Sequence, residues 1–417
     1  MNQNSKKSYD YELFELIKQE TLRQELVLRL IPSENYVSKS VLKATGSCLT
    51  NKYSEGYPGK RYYQGQQIID KIERLTIERA KYLFGAEHAN VQPYSGSIAV
   101  LACYFAVCKP GDTVLAPKLS HGGHLSHGHK ANITGNLFNV IQYGVERDSE
   151  DFNLNEIELM AKKYIPKMII VGGTALPRNI NFKAFSEIAK NVSAVLLSDM
   201  SHTAGLIAGK VHPNPFPYAD IAVSTSHKTL RGPRGAFILC KDEFSKKIDK
   251  AVFPMLQGGP HQHTQSGICT TFFEAMQPAF QKYSEAVIRN NRLLADILKK
   301  NGLRLISNGT DNHLILADVT SLGWNGPNAA IKLEKAGIIV NSNMIPFDKG
   351  TAVSPSGIRL GTPAITTRGF GFDEIKIVGT MIMRVLGNKN CSNEDIKEIR
   401  NEIINLTLNF PVPEYFV

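Results

Sequence analysis

Residues 224–235 read Ser-Thr-Ser-His-Lys-Thr-Leu-Arg-Gly-Pro-Arg-Gly, and what flanks this stretch decides the fold. An apolar run, Ile221, Ala222, Val223, leads into it and a second, Ala236, Phe237, Ile238, Leu239, leaves it. The spacing therefore predicts two buried strands joined by a turn that carries Lys228. A strand end is a rigid mount. Flanked by Ser226, His227 and Thr229, such a lysine loses its proton near neutral pH only if burial or a neighbouring cation lowers its pKa, and it then attacks a carbonyl as a neutral amine. Pyridoxal phosphate is the carbonyl partner this suggests. The plain alternative is a solvated lysine at a surface turn.

Upstream, Val195, Leu196, Leu197 and Ser198 form a short run ending at Asp199, 29 positions before Lys228, which leaves room for one crossover and another strand. In pyridoxal-phosphate enzymes a carboxylate keeps the pyridine nitrogen protonated, which makes the ring an electron sink, while a lysine holds the aldehyde as a Schiff base. An aspartate at a strand end also serves as a helix cap or turn residue, so the pair alone leaves both readings open. Strand candidates at 113–116, 137–142, 168–171, 194–198, 220–225 and 236–240 are separated by helical or loop segments. That alternation predicts an α/β fold with a mostly parallel sheet covered by helices on both faces. Ligands of such sheets gather at the carboxyl ends of strands, where Ser95, the 121–129 loop, Thr174, Asp199 and Lys228 all fall. Neither a Walker phosphate loop nor a GxGxxG occurs, so nucleotide and nicotinamide readings lose their usual support.

Toward the N-terminus, Leu13, Leu16, Ile17, Leu26, Leu28 and Leu30 punctuate a charged segment from about 10 to 30, read as an amphipathic arm helix that Pro32 ends. Residues 51–63 hold Tyr53, Glu55, Tyr57, Tyr62 and Tyr63, either a tyrosine-rich packing loop or a site. A helical pattern over 66–84 stops at Gly85. Ser95, Gly96 and Ser97 open an apolar helix over 98–108 whose first N–H groups suit a phosphate, although such caps are also common without a ligand. His121, His124, His127 and His129 crowd one Gly-rich loop. No neighbouring Cys, Asp or Glu completes a zinc set and the spacing is not HExxH; a neutral imidazole stacked on a pyridine ring is the preferred reading, and no metal is expected. Gln257-Gly258-Gly259-Pro260 offers bare amides for a phosphate or simply a tight turn.

Beyond a long helix predicted over 272–301, strands at 302–307, 312–319 and 337–340 mix with helices at 327–336, 372–386 and 392–408, a second and smaller α+β unit. In the run 356–363, Arg359 stands alone on an apolar strand. A buried arginine needs a carboxylate, supplied either by an internal ion pair or by a substrate.

A chain of 417 residues fills more than one core. The expected division is an N-terminal arm and helix over 1–48, a large α/β unit over 49–275 and a small α+β unit over 276–417. Charged residues at 21% and apolar residues at 42% exclude a disordered chain. The net charge of +10 favours anionic ligands, yet the basic residues are scattered, so no dedicated nucleic-acid site is expected. Six cysteines without a CxxC pair read as reduced thiols. Residues 1–7 are polar and no stretch approaches membrane-spanning length; a soluble, cytoplasmic protein is expected.

Taken together the chain resembles serine hydroxymethyltransferase, a fold-type I pyridoxal-phosphate family (aspartate aminotransferase-like), from about residue 10 to 410. The resemblance rests on PSENY at 32–36, LTNKYSEGYPGKRYY at 49–63, NVQPYSGS at 90–97, HGGHLSHG at 121–128, SDMSHTAGL at 198–206, SHKTLRGPRG at 226–235, TDNHL at 310–314 and SGIRLGTPAITTRG at 356–369. It implies a seven-stranded sheet with pyridoxal 5'-phosphate on Lys228, Asp199 at the pyridine nitrogen, His124 stacked on the ring, and His202 and Thr174 near the phenolic oxygen. Ser95, Gly96, Ser97 and His227, with Gly258 and Gly259 of a partner subunit, would hold the phosphate. Ser33 and Arg359, with Tyr63, would take the amino-acid substrate. Tyr53, Glu55 and Tyr63 would reach a neighbouring subunit's site, implying a homodimer, with a tetramer left open. Tetrahydrofolate would be co-substrate, with Glu55 moving a proton and Tyr62, Leu119, Gly123, Leu125 and Asn343 near the pterin.

Some positions depart from the family pattern. Where the family usually reads Ser-Ala-Tyr-Pro-Arg, residues 174–178 read Thr-Ala-Leu-Pro-Arg; Ile98-Ala99-Val100 follows the phosphate turn, Ser201 and Thr203 flank His202, and Met255-Leu256 precedes Gln257. They motivate a second reading, a relative acting on another amino acid such as an α-methylserine hydroxymethyltransferase or a β-hydroxy amino acid aldolase. A third, a non-catalytic RNA-binding or scaffold protein, has only the positive charge in its favour.

Overall fold

Seven strands build the main sheet: β1 (His88–Asn90), β2 (Thr113–Pro117), β3 (Asn139–Tyr143), β4 (Met168–Gly172), β5 (Val195–Asp199), β6 (Ile221–Thr225) and β7 (Ala236–Cys240). In this computed structural model, which describes residues 9–387 and 391–413, their order is β1-β7-β6-β5-β4-β2-β3. The polar segment 1–7 lies outside the described residues. Neighbours pair in parallel from β6 to β3, and β7 alone runs against both of its neighbours. The expected mostly parallel sheet is thus what the chain forms.

The two faces of the sheet follow from the period of two along each strand. Val114, Ile170, Leu197 and Val223 point to one side, where they pack with Ala99, Ala102 and Cys103 of the helix Gly96–Val107. Leu115, Ile169, Val171 and Leu196 point to the other, against Phe185 and Ile188 of the helix Phe182–Asn191. Strands buried on both faces need continuous apolar runs, which is why these were legible as short blocks and not as alternating patterns.

A second sheet, antiparallel, runs in the order β8 (Arg304–Leu305), β9 (Leu314–Asp318), β11 (Gly357–Gly361), β10 (Asn341–Asn343). Helices Gly326–Lys335, Phe372–Leu386 and Asn393–Leu408 cover it through Leu333, Ile382 and Ile399. The helix Pro278–Lys300 ties the two cores together. Its Phe280 and Val287 sit in a core of the main sheet, and its Leu294 and Leu298 in that of the second.

Two expectations are corrected. The arm helix spans only Tyr11–Glu25 and buries none of its residues. Leu28 and Leu30 leave it as an extended segment: Leu28–Arg29 pairs in parallel with Ile338–Ile339, and both leucines are buried in the second core. Alternate leucines fit the period of a strand, and the partner strand that decides the matter is some three hundred residues away. The helix expected over 272–301 is two helices, Gln262–Ala275 and Pro278–Lys300, because Pro278 takes the first turn of a new helix after Gln277.

Candidate active site

Each parallel strand releases its chain at the same edge of the sheet. Asp199 is the last residue of β5, Lys228 lies three residues beyond β6, Thr174 two beyond β4, and the 121–129 loop follows β2. They converge on a cavity of about 350 Å³ whose lining includes Ser33, Ser95, His124, Asp199, His202 and Lys228, together with Gly96, Ser97, Thr174 and His227. Asp199 and Lys228 open onto one space, as the pairing of an acid with an amine requires.

Lys228 Nζ donates to Thr225 Oγ1 at 2.8 Å. Burial, with Arg359 and Arg234 nearby and Asp199 opposing, lowers its ammonium to a pKa of about 8. The neutral amine therefore becomes the major form above pH 8. We expect cofactor-free protein to capture pyridoxal phosphate at a rate that rises with pH and levels off above about 8. A rate still climbing toward the ordinary lysine value of 10.5 would show that Lys228 is unshifted.

Asp199 is nearly enclosed. Burial alone would raise its carboxyl, but hydrogen bonds from His127 Nε2 at 2.9 Å and from the Ser201 N–H at 3.0 Å outweigh it and hold the group well below the usual carboxylate range. It stays an anion throughout the neutral range. His124 is turned by Ser126, whose hydroxyl lies 2.7 Å from Nδ1; burial keeps this ring neutral, at a pKa of about 4. His227 is neutral too, lowered to about 3 by burial and by Lys228, and its buried Nδ1 has no hydrogen-bond partner among the described residues.

Arg359 stands on β11. It is 9% exposed, and its contacts are neutral: Nε donates to Asn341 Oδ1 at 3.1 Å and Nη1 to the Thr174 carbonyl at 2.6 Å. Among the described residues no internal ion pair forms, so a buried cation is left without a carboxylate. Burial lowers its pKa to about 10, still charged at neutral pH.

A family model described as serine hydroxymethyltransferase matches residues 6–382. The chain is similar to the curated serine hydroxymethyltransferases of Dehalococcoides mccartyi, 51% identical over 409 residues and covering 98% of each chain, and of Desulfotalea psychrophila, 53% identical over 404 residues, 97% of this chain and 95% of the relative. That of Acidothermus cellulolyticus is 51% identical over 409 residues, 97% of this chain and 96% of the relative. The chain belongs to the serine hydroxymethyltransferase family. It is accordingly a fold-type I pyridoxal-phosphate enzyme, and its α/β sheet agrees with that class.

The cavity fits the family's cofactor on physical grounds. Ser95 caps the helix Gly96–Val107, whose first N–H groups have no intrahelical acceptor and favour an anion, and the unpartnered Nδ1 of His227 lies at the same wall. Asp199 supplies an anion and Lys228 an amine across the same space.

Other residues of the serine hydroxymethyltransferase pattern lie elsewhere in the single chain. Tyr53 donates its hydroxyl to Glu55 Oε1 at 3.0 Å and meets Tyr63 edge-on, and Glu55, Tyr62 and Gly258 border an open depression distinct from the Lys228 cavity. A Cβ at Gly258 would stand 3.1 Å from Glu55 Oε1, and one at Gly259 3.3 Å from the Tyr53 ring, so the loop approaches both side chains closely. Leu119 and Leu125 lie in short turns of the histidine loop, Asn343 ends β10, and Gly123 has a carbonyl oxygen of Pro117 2.4 Å from where a Cβ would stand.

Two contributors carry no signal in local spacing. His127, fully buried, reaches Asp199 across 72 residues of sequence, and Thr225 Oγ1 accepts a hydrogen bond from Lys228 Nζ. The four loop histidines do not converge: His121 accepts from the Val145 N–H, His124 meets Ser126, His127 meets Asp199, and His129 accepts from the Ala131 N–H. Of the departures, Leu176 packs on Gly122 and borders a small cavity behind the strand ends. Neither it nor Ile98 lines the Lys228 cavity.

Proposed function

We propose that the chain interconverts L-serine plus tetrahydrofolate with glycine plus 5,10-methylenetetrahydrofolate, with pyridoxal 5'-phosphate held on Lys228. The single observation that carries this reading is one cavity onto which the Lys228 amine and the Asp199 anion both open, with the unpaired Arg359 cation beside it. When bound, pyridoxal phosphate supplies an electron sink for charge developing on the amino-acid α-carbon. Lys228 anchors it, Asp199 keeps a negative charge where the ring nitrogen would lie, and His124 covers the ring. Ser95, Gly96, Ser97 and His227 hold the phosphate; Thr174 and His202 face the phenolic oxygen. Arg359 and Ser33 receive the substrate carboxylate, which compensates a buried cation that otherwise has none.

Glu55 and Tyr53, with Tyr63, Gly258 and Gly259, act in the site of a second copy, so the working unit is a homodimer. The folate pterin lies by Tyr62, Leu119, Gly123, Leu125 and Asn343. The enzyme works in the cytoplasm, in keeping with six unpaired cysteines and with the finding that no described helix is long and apolar enough to cross a membrane. The division into 1–48, 49–275 and 276–417 is part of the same reading.

The test is product analysis of protein loaded with pyridoxal phosphate. Glycine should form from serine only when tetrahydrofolate is present. Folate-independent cleavage of β-hydroxy amino acids, or preference for α-methylserine, would favour a specialised relative; of the departures from the family sequence that motivate that reading, Leu176 and Ile98 lie off the cavity, whereas Thr174 and Ser201 line it. Glu55→Gln should slow folate-dependent serine turnover about 10²-fold, the usual scale for a lost proton-transfer group, and leave glycine affinity nearly unchanged. Equal losses in both would remove Glu55 from that role.

A further inference from the structure

His313 belongs to none of the roles above, yet it is fully buried directly behind the cavity. Its Nε2 lies 3.2 Å from Nδ1 of His202, and the two rings stack with centroids 5.4 Å apart. The loop that carries it is pinned on both sides. Asn312 Nδ2 donates to the Leu176 carbonyl, Asn291 Nδ2 to the Asn312 carbonyl, and the Leu314 N–H to Asn312 Oδ1. Among the described residues His313 Nδ1 has no hydrogen-bond partner. We propose that His313 is a positioning residue that donates its Nε2–H to His202 Nδ1, and so fixes His202 with its own hydrogen on Nε2, as a donor facing the cavity.

The argument is one of counting hydrogens. Both rings are neutral: burial, reinforced by Lys228 and Arg359, with His313 and His124 acting on His202 and His212 on His313, holds each far below the ordinary histidine value. Each neutral ring carries one N–H, and one N–H serves the shared contact. If His202 were the donor, the hydrogen of His313 would sit on Nδ1, a buried N–H without an acceptor, which folded proteins rarely tolerate. If His313 is the donor, its Nδ1 is a bare lone pair and the hydrogen of His202 falls on Nε2, the nitrogen left for the cavity that His202 lines. The hydrogen bond made by one nitrogen of an imidazole decides the form of the other. His202 then offers a hydrogen to an anionic oxygen on the bound ring, a step that rests on the cofactor assignment proposed above.

Long-range 1H–15N NMR of the ring nitrogens tests the pair without any variant, in cofactor-free and in pyridoxal-phosphate-loaded protein. His202 and His313 should both carry hydrogen on Nε2 in each. His202 protonated on Nδ1 would overturn the proposal. In His313→Leu, His202 should lose its single tautomer and retention of pyridoxal phosphate should weaken about tenfold, the scale of one hydrogen bond to a charged group; His313→Gln, which can return an amide N–H to the Nε2 position, should restore both. An unchanged tautomer in His313→Leu would also overturn it. Failure of the native protein to bind pyridoxal phosphate would instead count against the cofactor reading, and the cofactor-free spectrum would still decide the histidine pair.

Discussion

Lys228→Ala protein should remain folded, lose the visible absorption of bound pyridoxal phosphate, and lose serine turnover by at least about 10³-fold, the scale on which enzymes lose rate when their nucleophile is deleted. The fold should tolerate the change because the side chain of Lys228 contributes one hydrogen bond among the described residues, to Thr225 Oγ1, its backbone bonds survive the truncation, and its ammonium is held in surroundings that disfavour the charge. Truncating it removes an unfavourable group as well as a reactive one. Circular dichroism and thermal unfolding close to those of the native protein, together with colourless, inactive protein, are the expected results. A variant that stayed yellow and active would place the attachment on another residue.

Asp199→Ala should damage both activity and stability. His127 is fully buried and donates to Asp199, and the alanine leaves that N–H without an acceptor, a loss of about 1–3 kcal/mol. It also removes the buried anion opposite Lys228, so turnover should fall at least about 10²-fold, the scale on which removing one preorganised electrostatic contact lowers rate. Asp199→Asn separates the two effects. It keeps an acceptor for His127 and the shape of the side chain, so thermal stability should largely return while turnover stays low. Recovery of both in the asparagine variant would mean that the carboxylate charge is not used in the reaction.

The sheet was readable because its strands are buried on both faces: blocks such as Met168–Gly172 and Ala236–Cys240 carry no polar side chain and are punctuated by turn residues. Strand ends then implied where Ser95, Thr174, Asp199 and Lys228 gather, before any contact was known. The segment at Leu28 was misread since its pairing with Ile338 joins residues from opposite ends of the chain, and local periodicity holds no record of that. The same limit hid the histidines behind the site. His127 and His313 act through Asp199 and His202, contacts across 72 and 111 residues of sequence. Sequence spacing could show four histidines in one loop, but not that each turns to a different partner.

The central claim is that Lys228 is the amine that binds pyridoxal phosphate, in the cavity it shares with Asp199. Borohydride reduction of the loaded protein followed by peptide mapping tests it most directly. A stable pyridoxyl label on Lys228 and on no other lysine is the predicted result; a label on a different lysine, or none after full loading, would contradict it.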